Sequence, residues 1–211
     1  GANGWVLTSL HPNEEPVALE HMALYDTHQK KWTTLQGTGT VPGINAIALA
    51  QKAATMVFIG ADGTAQVLDL NTGKVLSRFD TRINAESVLS MQFFLDDSCL
   101  AIKTAGGYLH LYRLATGEQL YYTQLQDAYM EYLQIFEDHR NQRIYIHGGS
   151  NSGLCLDVNS WSSLGQIDDL LYYHASLDLL YQANGHYEAA PIAYAKIPDT
   201  MQLVTIAREA L

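Results

Sequence analysis

A repeat with a constant period of 44 residues is the feature that most restricts how this sequence can fold. Three stretches align at that offset and carry apolar landmarks at equivalent places. These landmarks are Ile47, Met91 and Ile135, then Phe58, Ile102 and Ile146, then Val67, Leu111 and Cys155. Gly73 and Gly117 follow the last landmark in two copies, and Trp161 takes that place in the third. A period of this length indicates an array of stacked supersecondary units.

Each copy divides into four short runs rich in β-branched and aromatic residues. In the clearest copy the runs are NAIALA, TMVFIG, TAQVLDL and KVLSRFD, separated by turns at 51–54, 61–63 and 71–73. The Asp-Gly and Thr-Gly pairs in these turns supply the positive φ angles that tight hairpins need. A four-stranded antiparallel unit repeating every ~40–50 residues is typical of a β-propeller blade. The sequence therefore predicts an all-β propeller whose strands are apolar on both faces, because neighbouring blades cover both.

The prediction comprises about five four-stranded blades, at 1–36, 41–82, 85–126, 129–168 and 170–198. In the first repeat the runs WVLTSL, HMALYD and KKWTTLQ match only the second, third and fourth strands. In the last repeat LLYYHASL, LLYQANG and PIAYAKI match only the first three. Two arrangements stay open, an arc of a larger seven- or eight-bladed ring and a small closed ring of five blades. An arc would expose unpaired strand edges, so it is expected to self-associate.

A short C-terminal helix is expected at 199–211. Leu203, Ile206, Ala207 and Ala210 share one helical face, and Asp199 is a suitable N-cap. The alternation of Met201, Leu203 and Thr205 leaves the missing fourth strand open as the alternative. The chain begins with Gly1 instead of methionine, which we interpret as the cut end of a longer protein.

Two segments, 61–79 and 105–125, resemble repeats of the WD-repeat and quinoprotein-like β-propeller superfamily. Leu68-Asp69, Leu156-Asp157 and Tyr25-Asp26 occupy the places of the Trp-Asp pair, whereas Tyr112-Arg113 departs from it and the Gly-His dipeptide is missing. The resemblance implies the C-terminal propeller portion of a multidomain bacterial protein. It also implies that this portion binds a partner protein or a sensed ligand and acts on an effector domain elsewhere in the chain.

The chain is acidic, with 22 Asp and Glu against 12 Lys and Arg and a net charge of −10. Such a charge repels nucleic-acid backbones and anionic membranes, so neither is expected as a partner. A basic protein surface is the expected partner. Cys99 and Cys155 lie in apolar runs and are expected to be buried free thiols, which favours a reducing, cytoplasmic location.

No catalytic, cofactor-binding or metal-binding residue is predicted. The eight histidines lack metal-ligand spacing, and Ser77 stands where quinoprotein repeats carry a packing tryptophan. The carboxylates are expected to be solvated turn residues; they include Asp96-Asp97, Glu131, Glu137-Asp138 and Asp168-Asp169. The alternative is a carbohydrate-active hydrolase or lyase that uses carboxylates around the central funnel.

Tyrosine is unusually frequent, with 13 residues. The clusters are Tyr121-Tyr122, Tyr129-Tyr132 and Tyr172-Tyr173, followed by Tyr181, Tyr187 and Tyr194. Most are expected to pack between blades, but exposed tyrosines near acidic residues are typical of protein-binding surfaces. Tyr129 is the clearest candidate for one rim. The predicted function is a non-catalytic protein-interaction, scaffolding or sensor module within a larger protein.

Overall fold

The computed structural model describes residues 5–9, 17–18, 21–35, 40–41, 46–50, 52–125, 133–148, 152–168, 170–183 and 192–196. These residues form β-strands joined by turns, with a short 3₁₀ turn at Ala85–Ser87. The predicted C-terminal helix at 199–211 lies outside them.

The strands form five antiparallel sheets in chain order and one separate pair. The first sheet contains Trp5–Ser9 (β1), Met22–Asp26 (β3) and Lys31–Thr34 (β4), and the separate pair is Val17–Ala18 (β2) with Thr40–Val41 (β5). The second contains Ile47–Leu49 (β6), Thr55–Ile59 (β7), Thr64–Asp69 (β8) and Val75–Asp80 (β9). The third contains Val88–Phe94 (β10), Cys99–Thr104 (β11), Tyr108–Arg113 (β12) and Glu118–Gln124 (β13). The fourth contains Gln134–Asp138 (β14), Arg143–His147 (β15), Ser152–Asp157 (β16) and Ser163–Asp168 (β17), and the fifth Leu170–His174 (β18), Leu179–Ala183 (β19) and Ile192–Lys196 (β20).

The pairing register repeats with the period of the sequence. The first two landmarks of each copy are cross-strand partners, in the pairs Ile47–Phe58, Met91–Ile102 and Ile135–Ile146. A register shift also recurs between the third and fourth strands, at Val67/Leu68, Leu111/Tyr112 and Cys155/Leu156. Successive four-stranded meanders with one shared register are propeller blades. The prediction of an all-β propeller is confirmed.

The turn between the third and fourth strands explains why glycine recurs there. Gly73 has φ +71°, and a Cβ at this residue would lie 2.2 Å from the carbonyl oxygen of Thr34 in the first sheet. Trp161 holds the equivalent place in the fourth sheet at φ 55° and donates from its N–H to the Asp157 carbonyl at 2.9 Å. Its ring meets Phe94 edge to face, with centroids 6.3 Å apart. The turn geometry is therefore kept while the side chain packs against the preceding sheet.

Three apolar clusters form the core, and each joins sheets that follow one another in the chain. The first includes Leu24, Phe58 and Leu100, the second Ala101, Leu111 and Ile144, and the third Tyr145, Ile167 and Tyr173. Every residue of β11 and of β15 is buried, as expected for strands covered on both faces. Cys99 and Cys155 are free and buried, and burial raises the pKa of Cys155 to about 12, which keeps this thiol protonated.

Candidate functional site

A row of aromatic rings crosses the outer part of the third sheet and continues into the second. Tyr108, His110 and Tyr112 alternate along β12, so their side chains share one face. Tyr122 of β13 is the cross-strand partner of His110 and lies on the same face. Phe79 of β9 extends the row into the second sheet. We call these five residues the aromatic row.

Neighbouring rings of the row lie within contact distance of one another. The Tyr108 and Tyr122 rings are almost parallel, at an interplanar angle of 4°, and their centroids are 5.7 Å apart. The His110 and Tyr122 centroids are 4.9 Å apart, and those of His110 and Tyr112 6.4 Å. The Tyr112 and Phe79 centroids are 5.6 Å apart. Aromatic pairs in this range stabilise each other and hold the rings in place.

The row is buried at one end and exposed at the other. Tyr112 is only 3% exposed, and its hydroxyl donates to the Thr81 carbonyl oxygen at 2.8 Å. Burial, with the nearby Asp80 carboxylate, raises the pKa of Tyr112 to about 12. Tyr122 is 53% exposed and Tyr108 36% exposed. The buried end therefore anchors the row to the second sheet, and the other end presents ring surface to solvent.

His110, between the two ends, is uncharged at neutral pH. Burial lowers its pKa below the ordinary value of 6.5. Its Nδ1 lies 3.2 Å from Nε2 of Gln119, so the amide donates to Nδ1 when the ring carries its proton on Nε2. The exposed end thus combines aromatic surface with tyrosine hydroxyls and amide groups.

A second group of polar side chains joins the first hairpin turns of the second and third sheets. Asp97 Oδ2 accepts from the backbone N–H of Lys52 at 2.6 Å and from that of Ala53 at 2.7 Å. The Lys52 ammonium pairs with the Asp96 carboxylate. This hydrogen bond and the opposite charge lower the pKa of Asp96 and raise that of Lys52. The carboxylates therefore tie one sheet to the next.

Glu137 makes the corresponding link between the third and fourth sheets. Its Oε1 accepts from the Leu95 N–H at 2.7 Å, and its Oε2 lies 3.0 Å from Nε2 of His139. We call Lys52, Asp96, Asp97, Glu137 and His139 the turn cluster. The contacts described here are made within the chain, and they align neighbouring sheets.

Asp138 departs from the expectation of a solvated turn carboxylate, because it is the last residue of β14 and is only 1% exposed. Its Oδ1 accepts from the Asn141 N–H at 3.0 Å, and its Oδ2 lies 3.4 Å from the Tyr145 hydroxyl. In the fifth sheet the Tyr173 hydroxyl donates to Oδ1 of buried Asp178 at 3.1 Å. Burial raises the pKa of both tyrosines, and the two aspartates raise that of Tyr173 further. We call Asp138, Tyr145, Tyr173 and Asp178 the tyrosine–aspartate network.

The remaining residues singled out in the sequence occupy varied positions. His110 and His147 lie in strands and His139 in a turn, and within the described ranges no three His, Cys, Asp or Glu side chains are grouped to hold a metal ion. Tyr121 packs against the core between the third and fourth sheets, whereas Tyr172 is exposed. Tyr129, Tyr132, Tyr187, Glu131 and Asp169 lie outside the described residues.

Sequence reasoning identified Tyr122 but missed Tyr108 and His110. The signal for these two was the alternation of YLHLY in β12, which places the residues at 108, 110 and 112 on one face.

In the described part of the chain, no helix has the length and apolar character needed to cross a membrane.

No protein-family model and no curated protein sequence matches the chain. Solved structures do match it. The computationally designed Ika8 protein is 15% identical with a TM-score of 0.57, and the alignment covers 85% of this chain and 52% of that one. BamB from Moraxella catarrhalis is 12% identical with a TM-score of 0.49, over 78% of this chain and 52% of that one.

The computationally designed Ika4 protein is 18% identical with a TM-score of 0.50, over 79% of this chain and 97% of that one. The chain thus spans about half the length of Ika8 and BamB. Because 1205 solved chains match, the fold is widespread and does not by itself assign a function. At these identities the likeness to Ika8 and Ika4 bears on the fold alone.

Proposed function

We propose that this chain is a non-catalytic protein-interaction module, of a scaffolding or sensor kind, and that the exposed end of the aromatic row is its docking surface. The observation that carries the proposal is the exposure of Tyr122 and Tyr108 beside each other on the third sheet. Tyrosine is favoured at the energetic centre of interfaces because it buries a large ring while its hydroxyl keeps a hydrogen-bond partner.

The packing of the row supports this role by reducing the entropic cost of binding. Tyr112 is fixed through its hydrogen bond to Thr81, and each further ring rests on its neighbour. A surface held in its bound conformation loses less side-chain freedom when a partner arrives. The row is therefore prepared for contact in a way that isolated surface tyrosines are not.

Three of the carboxylates support the non-catalytic function over a carbohydrate-active hydrolase or lyase. A glycosidase needs one carboxyl group with a raised pKa to act as general acid. The pKa values of Asp62, Asp96 and Asp157 are each lowered, which is the opposite of what a general acid needs. The cause is hydrogen bonding within turns and, for Asp96, the contact with Lys52.

The aspartates that end β3, β8 and β16 also support the finer proposal of a WD-repeat or quinoprotein-like propeller. Asp69 Oδ1 accepts from the Thr72 N–H at 2.7 Å, Asp157 Oδ1 from the Ser160 N–H at 2.8 Å and Asp26 Oδ1 from the His28 N–H at 2.8 Å. The aspartate of the Leu-Asp or Tyr-Asp pair thus has the same structural task in three sheets. We propose further that the module belongs to a larger bacterial protein of the cytoplasm.

The net charge of −10 indicates which charge the partner should carry. A basic protein surface would be steered toward this chain, whereas nucleic acid and anionic membranes would be repelled. We expect no binding to duplex DNA or to anionic vesicles at physiological salt. Micromolar, salt-sensitive binding to either would contradict the proposal.

Site-specific photo-crosslinking tests the docking surface. A photoreactive phenylalanine analogue replaces Tyr122 in one variant and Arg78 in the control. Arg78 is exposed and occupies the equivalent place in β9, one repeat earlier. We expect position 122 to crosslink a defined protein in cells and position 78 not to do so.

The crosslinked protein is then purified and its affinity measured against Tyr122→Ala. We expect the substitution to weaken binding about tenfold, as for an interface centre. Equal crosslinking from positions 78 and 122, or an unchanged affinity, would contradict the proposal. Crosslinks between two copies of this chain would instead identify self-association.

A further inference from the structure

We propose that the exposed end of the aromatic row receives an arginine side chain of the partner protein. The inference rests on the proposed docking function and names the chemistry of the group that docks there.

The ring geometry suits a planar cation. Tyr108 and Tyr122 lie almost parallel at an interplanar angle of 4°, and both present ring surface to solvent. The face of an aromatic ring carries negative electrostatic potential and attracts cations placed within ~6 Å of its centre. Tyr108 and Tyr122 therefore offer two neighbouring rings on which a planar cation can stack.

The charges around the row favour a cationic guest. His110 is 4.9 Å from the Tyr122 ring, and because burial lowers its pKa it adds no positive charge at neutral pH. At the buried end, the opposite charges of Asp80 and Arg82 act on the Tyr112 hydroxyl in opposite directions. The whole chain carries −10, so a cation also approaches an attractive field.

Arginine fits this surface better than lysine does. Its guanidinium is planar, stacks on aromatic faces and is more weakly hydrated than an ammonium group. Its N–H groups can also donate to the tyrosine hydroxyls while the plane rests on a ring. Lysine would offer a strongly hydrated point charge and no plane to stack.

A double-mutant cycle separates ring contact from the general attraction of an acidic protein. The probes are an acetylated and amidated peptide of Gly-Ser-Arg repeats and the same peptide with citrulline in place of every arginine. Their dissociation constants are measured by NMR titration against the wild type and against Tyr122→Leu, which leaves the charge of the protein unchanged. Tyr122→Phe keeps the ring, and Leu76→Ala removes an exposed apolar side chain from β9.

We expect the preference of the wild type for arginine over citrulline to fall about threefold in Tyr122→Leu, the size of an exposed cation–π contact. Tyr122→Phe and Leu76→Ala should retain the wild-type preference. The same preference in the wild type and Tyr122→Leu, or no arginine-peptide binding to the wild type at millimolar concentration, would overturn the inference. If position 122 crosslinks a partner whose contacting segment lacks arginine, the docking function stands and this inference fails.

Discussion

The joint between the second and third sheets and the joint between the fourth and fifth sheets are built from different chemistry. The first is filled by fully buried apolar side chains such as Phe58, Leu100 and Ile102. The second has a smaller apolar cluster and contains the tyrosine–aspartate network. Apolar packing is non-directional, whereas a buried hydrogen bond is favourable only when every partner is in place. We therefore expect the first joint to contribute more stability than the second, and the second to provide geometric specificity.

The largest effect is expected at the apolar joint. Phe58→Ala removes a fully buried ring that packs between sheets, and we expect the free energy of unfolding to fall by about 3–5 kcal/mol. Urea unfolding followed by circular dichroism measures the change. Leu76→Ala, at a side chain 58% exposed, is the control and should stay within about 0.5 kcal/mol. A loss below about 1 kcal/mol for Phe58→Ala would show that this joint contributes little stability.

Gly117→Ala is expected to have the next largest effect, because it strains the same joint from the third sheet. A Cβ at this residue would lie 2.3 Å from the Cβ of Phe79, and its φ of +69° disfavours any side chain. We expect a loss of about 2 kcal/mol in the free energy of unfolding. Ala115→Ser, at an exposed residue of the same turn, is the control. Equal unfolding midpoints for the two variants would contradict the close approach.

The polar joint is tested by two adjacent tyrosines. Tyr173→Phe removes the donor to Asp178 and leaves a buried carboxylate oxygen without that hydrogen bond, so we expect a loss of about 1–2 kcal/mol. Tyr172→Phe, at a ring 47% exposed, should be nearly neutral. The same urea titrations compare them. If the two substitutions cost the same, the tyrosine–aspartate network does not stabilise the joint.

The smallest effect is expected in the pH dependence of stability. Hydrogen bonds from Ser160 and Asn159 lower the folded-state pKa of Asp157 below its ordinary value of 3.8. Its stabilisation is therefore present above about pH 4 and is lost as the pH falls through the lowered pKa. Urea midpoints measured from pH 6 to pH 2 should fall at the acid end, and Asp157→Asn should flatten that fall. A steeper fall in the variant would contradict the sign of the shift.

The regular part of the fold could be predicted because its apolar landmarks are themselves the paired positions. Ile47, Met91 and Ile135 each pair with the second landmark of the same copy. The constant spacing of the landmarks in the sequence therefore predicts the same strand register in each sheet. The turn at Trp161 was also foreseen from its place in the repeat. Local periodicity and turn chemistry determine these features, and a sequence displays both directly.

The candidate surface could be predicted only in part. Tyr122 stood out by composition, but its neighbours in the row come from another strand and from the second sheet. The register shift at Leu111/Tyr112 sets where β13 lies against β12, and the sequence does not display it. Asp138 was expected to be solvated, but it interacts with Tyr145 of the fourth sheet and with Tyr173 of the fifth, and the local sequence does not display these contacts. Contacts between segments that are distant in the sequence cannot be predicted from local sequence patterns.

Native-state hydrogen exchange tests the central claim most directly, namely that the apolar joint is more stable than the polar joint. Exchange rates of backbone amides are measured by NMR at increasing sub-denaturing urea concentrations. We expect amides of β7 and β11 to exchange only through global unfolding, and those of β18 and β19 through an opening of lower free energy. Equal opening free energies for the two groups, or greater protection in β18 and β19, would contradict the account.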